Sequence, residues 1–152
     1  AYFYALGLTG SPGLAEEAVQ EAFLGFLRRL EAYRPEGAFA GYLLAAVRSR
    51  AIDAMRREGR REAREEALEA LFAPTPGPEE EYAAKEHRLL VARALIGLPP
   101  GQREAVLLRI WEGLAFAEIG ALAGVGLNTA ASRFRRGIAR LRRVLARRMC
   151  NG

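Results

Sequence analysis

The C-terminal part of the chain holds the residues whose types point most directly to a ligand. Between Asn128 and Arg148 there are eight arginines and no acidic residue. A helix that only needs to stay in solution usually mixes both signs, so this composition indicates a helix that binds a polyanion. Polar side chains near its beginning can bond to bases or phosphates, namely Asn128, Thr129, Ser132, Arg133 and Arg136. A basic helix that binds any nucleic acid, or an acidic protein, is the alternative.

A second group of candidate nucleic-acid ligands lies between residues 39 and 61. Phe39 and Tyr42 near its start can stack on bases, and the arginines toward its end can hold phosphates. Its polar positions are Arg48, Ser49, Arg50, Arg56, Arg57, Arg60 and Arg61. A solvated helix face explains the same pattern, since arginines in a last turn also complement the helix dipole. Composition alone leaves both interpretations open.

Catalytic and metal chemistry find no support in the sequence. One cysteine, Cys150, and one histidine, His87, make neither a disulfide nor a zinc site. No nucleophile with a neighbouring base, glycine-rich phosphate loop or carboxylate cluster is evident, so we expect no enzyme activity, no metal and no cofactor. The longest apolar or glycine run, residues 37–47, is too short to span a bilayer. We therefore expect a cytoplasmic protein without membrane insertion.

Charge and proline positions predict how the elements that carry these residues are organised. The net charge is +2 over residues 1–61, −6 over 62–87 and +9 over 88–152. Three prolines and a glycine between Pro74 and Pro78 forbid a continuous helix, whereas periods near 3.6 run through most of the remaining chain. We expect an all-α fold of two small helical bundles joined by an acidic Pro/Gly linker. The first domain covers 1–61, the linker 62–81 and the second domain 82–152.

The first predicted bundle contains a helix from Ala15 to Leu30 and another from Ala38 to Arg57 or beyond. The apolar face of the earlier helix comprises Ala15, Ala18, Val19, Ala22, Phe23, Phe26 and Leu30. On the other side lie the residues that we call the docking face, Glu17, Gln20, Glu21 and Leu24. An isolated surface leucine would explain Leu24. An acidic, partly apolar surface for a basic partner is the sharper hypothesis.

The second predicted bundle contains a helix-turn-helix. Glycines at positions 124 and 126 mark a turn between residues 116–123 and the basic helix, and the second helix of such a motif enters the major groove. In the helix before this motif, Val106, Leu107, Ile110 and Trp111 recur at core spacing. We expect Trp111 to anchor the core rather than to stack on a base.

The first bundle resembles region 2 of bacterial sigma factors of the extracytoplasmic-function (ECF) group of the sigma-70 family. The resemblance rests on Ala15–Phe23, Tyr33–Phe39, Tyr42–Leu43 and Arg48–Arg57. It implies that the docking face binds core RNA polymerase. It also implies that the promoter minus-ten element is melted and held by Arg34, Phe39, Tyr42, Arg48, Ser49, Arg56 and Arg57. Because the match begins midway through the family's first helix, we expect the first domain to be truncated at its N-terminus.

The second bundle resembles sigma-factor region 4 through Leu98–Glu104, Glu112–Ile119, Gly124–Val125, Thr129 and Ser132–Arg133. This resemblance implies that the minus-thirty-five promoter element is read by Asn128, Thr129, Ser132, Arg133 and Arg136. The chain departs from the family pattern at Ala38 and Ala115, where a capping Ser or Thr is usual, and at Ser49, where Asn is frequent. Ala131 replaces a lysine, which we expect to remove a cation from the DNA-binding surface.

Together the two resemblances imply an ECF-type RNA polymerase sigma factor. Such a protein binds core RNA polymerase and promoter DNA, opens the DNA and starts transcription, and an anti-sigma factor is its expected regulator. One alternative is a stand-alone helix-turn-helix regulator, which would not need the docking face. The other is a sigma-like decoy that occupies an anti-sigma factor without supporting transcription.

Overall fold

The computed structural model describes residues 1–32, 39–58 and 90–149, without the side chains of 58, 148 and 149. Every regular element within these ranges is helical, which confirms the all-α prediction. The first bundle consists of α1 (Tyr2–Thr9), α2 (Pro12–Arg28), a 3₁₀ turn (Leu30–Ala32) and α3 (Phe39–Glu58). The second consists of α4 (90–96), α5 (Pro100–Ile110), α6 (Phe116–Ala123) and α7 (Leu127–Met149). The predicted linker, 62–81, lies outside the described residues.

Local signals explain where the helices of the first bundle begin. The Ser11 side chain caps α2 by accepting a hydrogen bond from the Leu14 amide at 3.5 Å, and proline follows at the first helical position. Three alanines of α2 are buried, which lets α3 approach closely with Leu44 and Val47. Phe23 and Leu30 were predicted to lie on the apolar core face of this helix. This prediction is wrong, because both side chains are exposed.

The helix-turn-helix of the second bundle has the predicted bounds. α6 ends at Gly124, which adopts the left-handed conformation (φ 69°) that favours glycine, and α7 starts three residues later. At the start of α6, Ala115 has no side chain to cap with, but the Glu118 carboxylate accepts a hydrogen bond from the Ala115 amide at 2.7 Å. Half of a capping box is therefore retained.

The expectation that Ile110 and Trp111 pack in the core is wrong. Their exposed fractions are 54% and 44%. α5 contributes to the core through its middle, residues 104–108, which is buried because α5 contacts both α1 and α7. The expectation for Val106 and Leu107 is therefore confirmed. The last turn of α5 receives no cover comparable to that of its middle. Among the helices of the described part of the chain, none combines the length and apolar character needed to cross a membrane.

The two bundles pack directly against each other. Tyr4, Leu44 and Val47 of the first bundle belong to the same apolar cluster as Leu107 and Leu108 of the second. The helices in contact are α1 with α5 and α3 with α6. Sequence patterns predicted two bundles and a linker, but they did not indicate that the bundles share a core.

Candidate nucleic-acid interface

The basic helix α7 presents a long row of exposed arginines. The side chains of Arg135, Arg136, Arg140, Arg142, Arg143 and Arg147 are exposed. None of the ion pairs among the described residues involves an arginine of α7. Asn128, Ser132 and Arg136 are spaced four residues apart and therefore share one face. This arrangement can place hydrogen-bond donors in a groove of duplex DNA while the other arginines contact phosphates.

Two residues near the start of α7 behave differently from the sequence expectation. A Cβ added at Gly101 would come within 3.1 Å of Cζ of Arg133, so this guanidinium lies against the first turn of α5. Ala131 is buried, with 6% of its surface exposed. The expected loss of a DNA-facing cation at position 131 is therefore corrected, because this position faces the core rather than solvent. Thr129, by contrast, is exposed beside Asn128.

A groove of about 440 Å³ separates α2 from α3 in the first bundle. We call it the α2/α3 groove. It is lined by Tyr42, Ala45, Ala46, Ser49 and Arg50 of α3, and by Glu21, Ala22, Gly25, Arg28 and Arg29 of α2. Small residues leave the space between the helices open, and an aromatic ring, four ionisable groups and a hydroxyl surround it. A planar base with an attached phosphate fits this set of groups.

Tyr42, which lines this groove, belongs to an aromatic cluster. The ring of Phe26 meets Phe39 at 4.9 Å and Tyr42 at 5.9 Å between centroids, both edge to face. Such contacts fix the orientation of the rings. Phe39 and Tyr42 nevertheless keep more than a third of their surfaces exposed, so ring surface is left to contact a ligand.

Arg48, a predicted minus-ten ligand, contacts the second bundle. Its Nε lies 2.7 Å from Oε1 of Glu104, and the Tyr4 hydroxyl donates to the same oxygen at 2.7 Å. The hydrogen bond to Glu104 raises the pKa of the Arg48 guanidinium. Burial, followed by the Glu104 charge, raises the pKa of Tyr4 well above its usual value, so the phenol stays protonated. Arg48 is thus joined to Glu104 and Tyr4 instead of facing open solvent.

The remaining predicted minus-ten residues are distributed along α3. Ser49 is exposed in the groove. Arg56 is exposed, and its Nη1 lies 3.8 Å from Oδ1 of Asp53. Arg57 lies near the end of the helix. Arg34 lies outside the described residues. The structure therefore brings Tyr42 and Ser49 together in the α2/α3 groove. Arg56 and Arg57 lie farther along α3, beyond this groove.

The docking face lies next to the arginines of α3. Glu17 pairs with Arg57 at 3.4 Å, and Glu21 pairs with Arg50 at 3.7 Å. Gln20 and Leu24 are exposed, and Leu24 is not isolated. A larger apolar surface on and just after α2 surrounds it, comprising Phe23, Leu24, Leu27 and Leu30.

Sequence reasoning missed several residues of these two sites. Leu27 stands three residues after Leu24, a spacing that places both on one helical face and could have identified the stripe. Arg28 and Arg29 line the groove opposite Tyr42. Nothing local in the sequence shows that the end of α2 faces the start of α3. Within the part of the chain that the structure describes, no cluster of His, Cys, Asp or Glu could hold a metal ion.

A helix-turn-helix with an arginine-rich second helix, joined to a bundle with an aromatic and basic groove, defines a nucleic-acid-binding protein of the transcription-factor class. The Sigma-70 region 2 family matches residues 1–61 and the Sigma-70 region 4 family matches residues 88–141. The chain belongs to the ECF group of the sigma-70 family of RNA polymerase sigma factors.

Three relatives illustrate this membership. The ECF RNA polymerase sigma factor SigE of Mycolicibacterium smegmatis is 38% identical over 96% of this chain and 57% of its own length. RNA polymerase sigma factor CarQ of Myxococcus xanthus is 33% identical over 87% of this chain and 75% of its own. The ECF RNA polymerase sigma-E factor of Escherichia coli K12 is 31% identical over 80% of this chain and 68% of its own. The chain thus spans just over half of the SigE relative.

A solved structure shares the fold. It is the sigma factor RpoE in complex with the anti-sigma factor NepR from Bartonella quintana, with a TM-score of 0.72 over 95% of this chain and 89% of that one. The two sequences are 21% identical. The likeness covers both bundles and supports the all-helical architecture described above.

Proposed function

We propose that this chain binds core RNA polymerase, directs it to promoters and stabilises the opened DNA, without catalysis, metal or cofactor. Core polymerase and promoter DNA are its partners, an anti-sigma factor is its regulator, and the cytoplasm is its place of action. The domains are assigned to 1–61 and 82–152, with the linker at 62–81. The α2/α3 groove carries the proposal, because it offers a ring, a hydroxyl and cations to one unpaired nucleotide.

The minus-ten element is assigned to the first bundle. Tyr42 stacks on an unpaired base, and Ser49 can donate to a base edge and accept from it. Arg28 and Arg29 stand across the groove from Tyr42 and can neutralise the phosphates of that nucleotide. The strand continues along the side chains assigned by the family resemblance, namely Arg34, Phe39, Arg48, Arg56 and Arg57.

The minus-thirty-five element is assigned to α7. Its first turns enter the major groove, where Asn suits adenine and Arg suits guanine. The assigned contacts are Asn128, Thr129, Ser132, Arg133 and Arg136. Of these, Arg133 has to leave its position against the first turn of α5 to reach a base. The exposed arginines farther along the helix contact the phosphate backbone and set the register of the protein on the duplex.

The polymerase contact is assigned to the docking face, Glu17, Gln20, Glu21 and Leu24, together with the adjoining exposed side chains of Phe23 and Leu27. An apolar stripe flanked by polar groups is typical of a protein interface. A stand-alone DNA regulator would gain nothing from this surface.

The test is capture of core RNA polymerase by the full chain and by the double variant Gln20→Ala/Leu24→Glu. We expect the double variant to lose binding by tenfold or more, because a new carboxylate on the stripe must be desolvated. Ile110→Glu is the matched control, since it also places a carboxylate at an exposed aliphatic position, on the second bundle. Equal binding by wild type and the double variant would reject the docking face.

A transcription assay separates the sigma role from the decoy. The full chain with core polymerase should produce promoter-dependent transcripts, and the double variant should not. Binding of an anti-sigma factor without any transcript from a library of promoter fragments would favour the decoy.

A further inference from the structure

The contact between the two bundles contains a buried polar cluster. Glu104 of α5 is the one buried charged side chain among the described residues, with 6% of its surface exposed. Its carboxylate binds two groups of the first bundle, the Tyr4 hydroxyl of α1 and the Arg48 guanidinium of α3. A second contact, at 3.5 Å, joins Arg48 to the other carboxylate oxygen. Glu104 therefore connects the second bundle to both helices that face it.

Close packing of α1 on α5 surrounds this cluster. A Cβ added at Gly7 would overlap Cδ1 of Leu107, so a side chain at position 7 would have to displace Leu107. Beside it, an Arg103 guanidinium nitrogen donates to the Gly7 carbonyl at 3.1 Å. Leu107 also belongs to the apolar cluster that spans both bundles. The contact is thus a packed interface with directional bonds.

This arrangement is incompatible with the proposed promoter complex. The minus-ten and minus-thirty-five elements lie about 25 base pairs apart, which is roughly 85 Å of DNA at ~3.4 Å per base pair. A chain of this length folded as one compact body has a radius of gyration of roughly 15 Å. The two bundles cannot share a core and also occupy both elements. In addition, Arg48 cannot bind the DNA strand while Glu104 holds it.

We propose that Glu104 is an internal latch that keeps the free chain closed and inactive, with Arg48 released to DNA only when the bundles separate. The proposal rests on the function proposed above. A buried ion pair suits a reversible contact, because the desolvation of both charges offsets much of their attraction. When the bundles part, both groups regain water, so a partner with modest preference for the open form can shift the equilibrium.

The first test measures the distance between the bundles in the full chain. Spin labels at Ala40→Cys and Ala139→Cys, in a Cys150→Ser background, report on exposed positions of α3 and α7. We expect wild type to give a short, narrow distance distribution. Glu104→Gln, which removes the charge but keeps the side-chain volume, should shift most of the population to longer distances. Glu118→Gln is the control, because it makes the same charge change at an exposed site of the second bundle.

The second measurement is the affinity of the same proteins for a fluorescent single-stranded oligonucleotide. Since affinity scales with the fraction of competent protein, Glu104→Gln should bind at least about fivefold more tightly than wild type and Glu118→Gln. Tyr4→Phe removes one hydrogen bond and keeps the ring, so it should shift both measurements in the same direction by less. Thermal unfolding followed by circular dichroism confirms that each variant is folded.

The outcomes separate the latch from the proposed function. A single short distance in folded Glu104→Gln and in Tyr4→Phe, or long distances already in wild type, would overturn the latch whatever the DNA result. Opening with measurable oligonucleotide binding that is no tighter than that of wild type would overturn the inhibitory role. If the opened variants and wild type all fail to bind the oligonucleotide, the minus-ten assignment fails while the conformational latch stands.

Discussion

The two proposed nucleic-acid surfaces of this molecule are built in opposite ways. In the first bundle, two arginines of α3 pair with acids of α2, Arg50 with Glu21 and Arg57 with Glu17. In the second bundle, α7 has no acidic residue in its sequence, and its arginines take no part in the ion pairs of the described residues. Among the described residues, the first surface is thus partly neutralised by acids of its own bundle, whereas the second is not.

This difference in charge pairing indicates that the two surfaces bind DNA through different interactions. Exposed arginines attract any duplex through its phosphates and lose that attraction in salt. A partly neutralised surface with Phe39 and Tyr42 gains less from phosphates and more from the faces of unstacked bases. The second bundle is therefore suited to anchoring on duplex DNA, and the first to holding a strand after it has separated.

The largest expected effect comes from the groove. Tyr42→Ala should weaken binding of a single-stranded minus-ten oligonucleotide by about 1–3 kcal/mol, because one stacking contact is lost. Tyr42→Phe keeps the ring and is the control. Affinities of both variants are measured by fluorescence anisotropy at fixed ionic strength. Equal affinities for Tyr42→Ala and wild type would show that the groove does not bind bases, and the comparison between the two surfaces would fail.

The free energy of unfolding should depend on alkaline pH, because Tyr4 is buried at the contact between the two bundles. Burial and the Glu104 carboxylate raise the pKa of Tyr4 above the ordinary value of 10.0. The unfolded chain then releases this proton near pH 10 while the folded chain keeps it. The free energy of unfolding should therefore fall as pH rises above 10, with this group contributing up to about 1.4 kcal/mol per pH unit.

The matched variant for this prediction is Tyr4→Phe, which has no such proton to lose. Urea unfolding at several pH values from about 9 to about 11 gives the free energy of each protein. We expect a steeper decline for wild type than for Tyr4→Phe above pH 10. Parallel curves would mean that the Tyr4 phenol is not held protonated between the bundles.

Helix boundaries were predictable only in part. The glycine at position 124 ends α6 as expected. The predicted bounds of α2, Ala15 to Leu30, are wrong, because the helix covers Pro12–Arg28 and the Ser11 cap starts it one turn earlier. The arginine-rich composition of α7 likewise indicates a polyanion as its ligand. This inference does not depend on which helices pack against α7. These features need only a few consecutive residues, so a single sequence contains them in full.

The exposed apolar residues were predicted less well, for a physical reason. Periodicity shows that Phe23, Leu30 and Trp111 continue an apolar face, but only a neighbouring helix makes such a face a core. At these three positions no neighbour provides full cover. Ala131 shows the reverse case, since a position expected to face DNA faces the core instead.

The Glu104 cluster lay furthest from prediction. Its partners Arg48 and Tyr4 are 56 and 100 residues away in the sequence, and they come from two helices of the other bundle. Each residue by itself resembles an ordinary helical polar or aromatic position. Only the packing of α1 and α3 on α5 brings them together, and no local pattern encodes that packing.

The smallest expected effect is on the salt dependence of duplex affinity, which tests the surface formed by α7. If about five arginines of α7 contact phosphates, the logarithm of duplex affinity should fall against the logarithm of salt concentration with a slope of roughly −4 to −5. Arg140→Ala/Arg143→Ala removes two exposed cations and should reduce the steepness by about 1.8. Tyr42→Ala should leave this slope unchanged, because it removes no charge. A flat salt response in wild type would mean that α7 does not bind a polyanion, and an altered slope in Tyr42→Ala would mean that the two surfaces do not act separately.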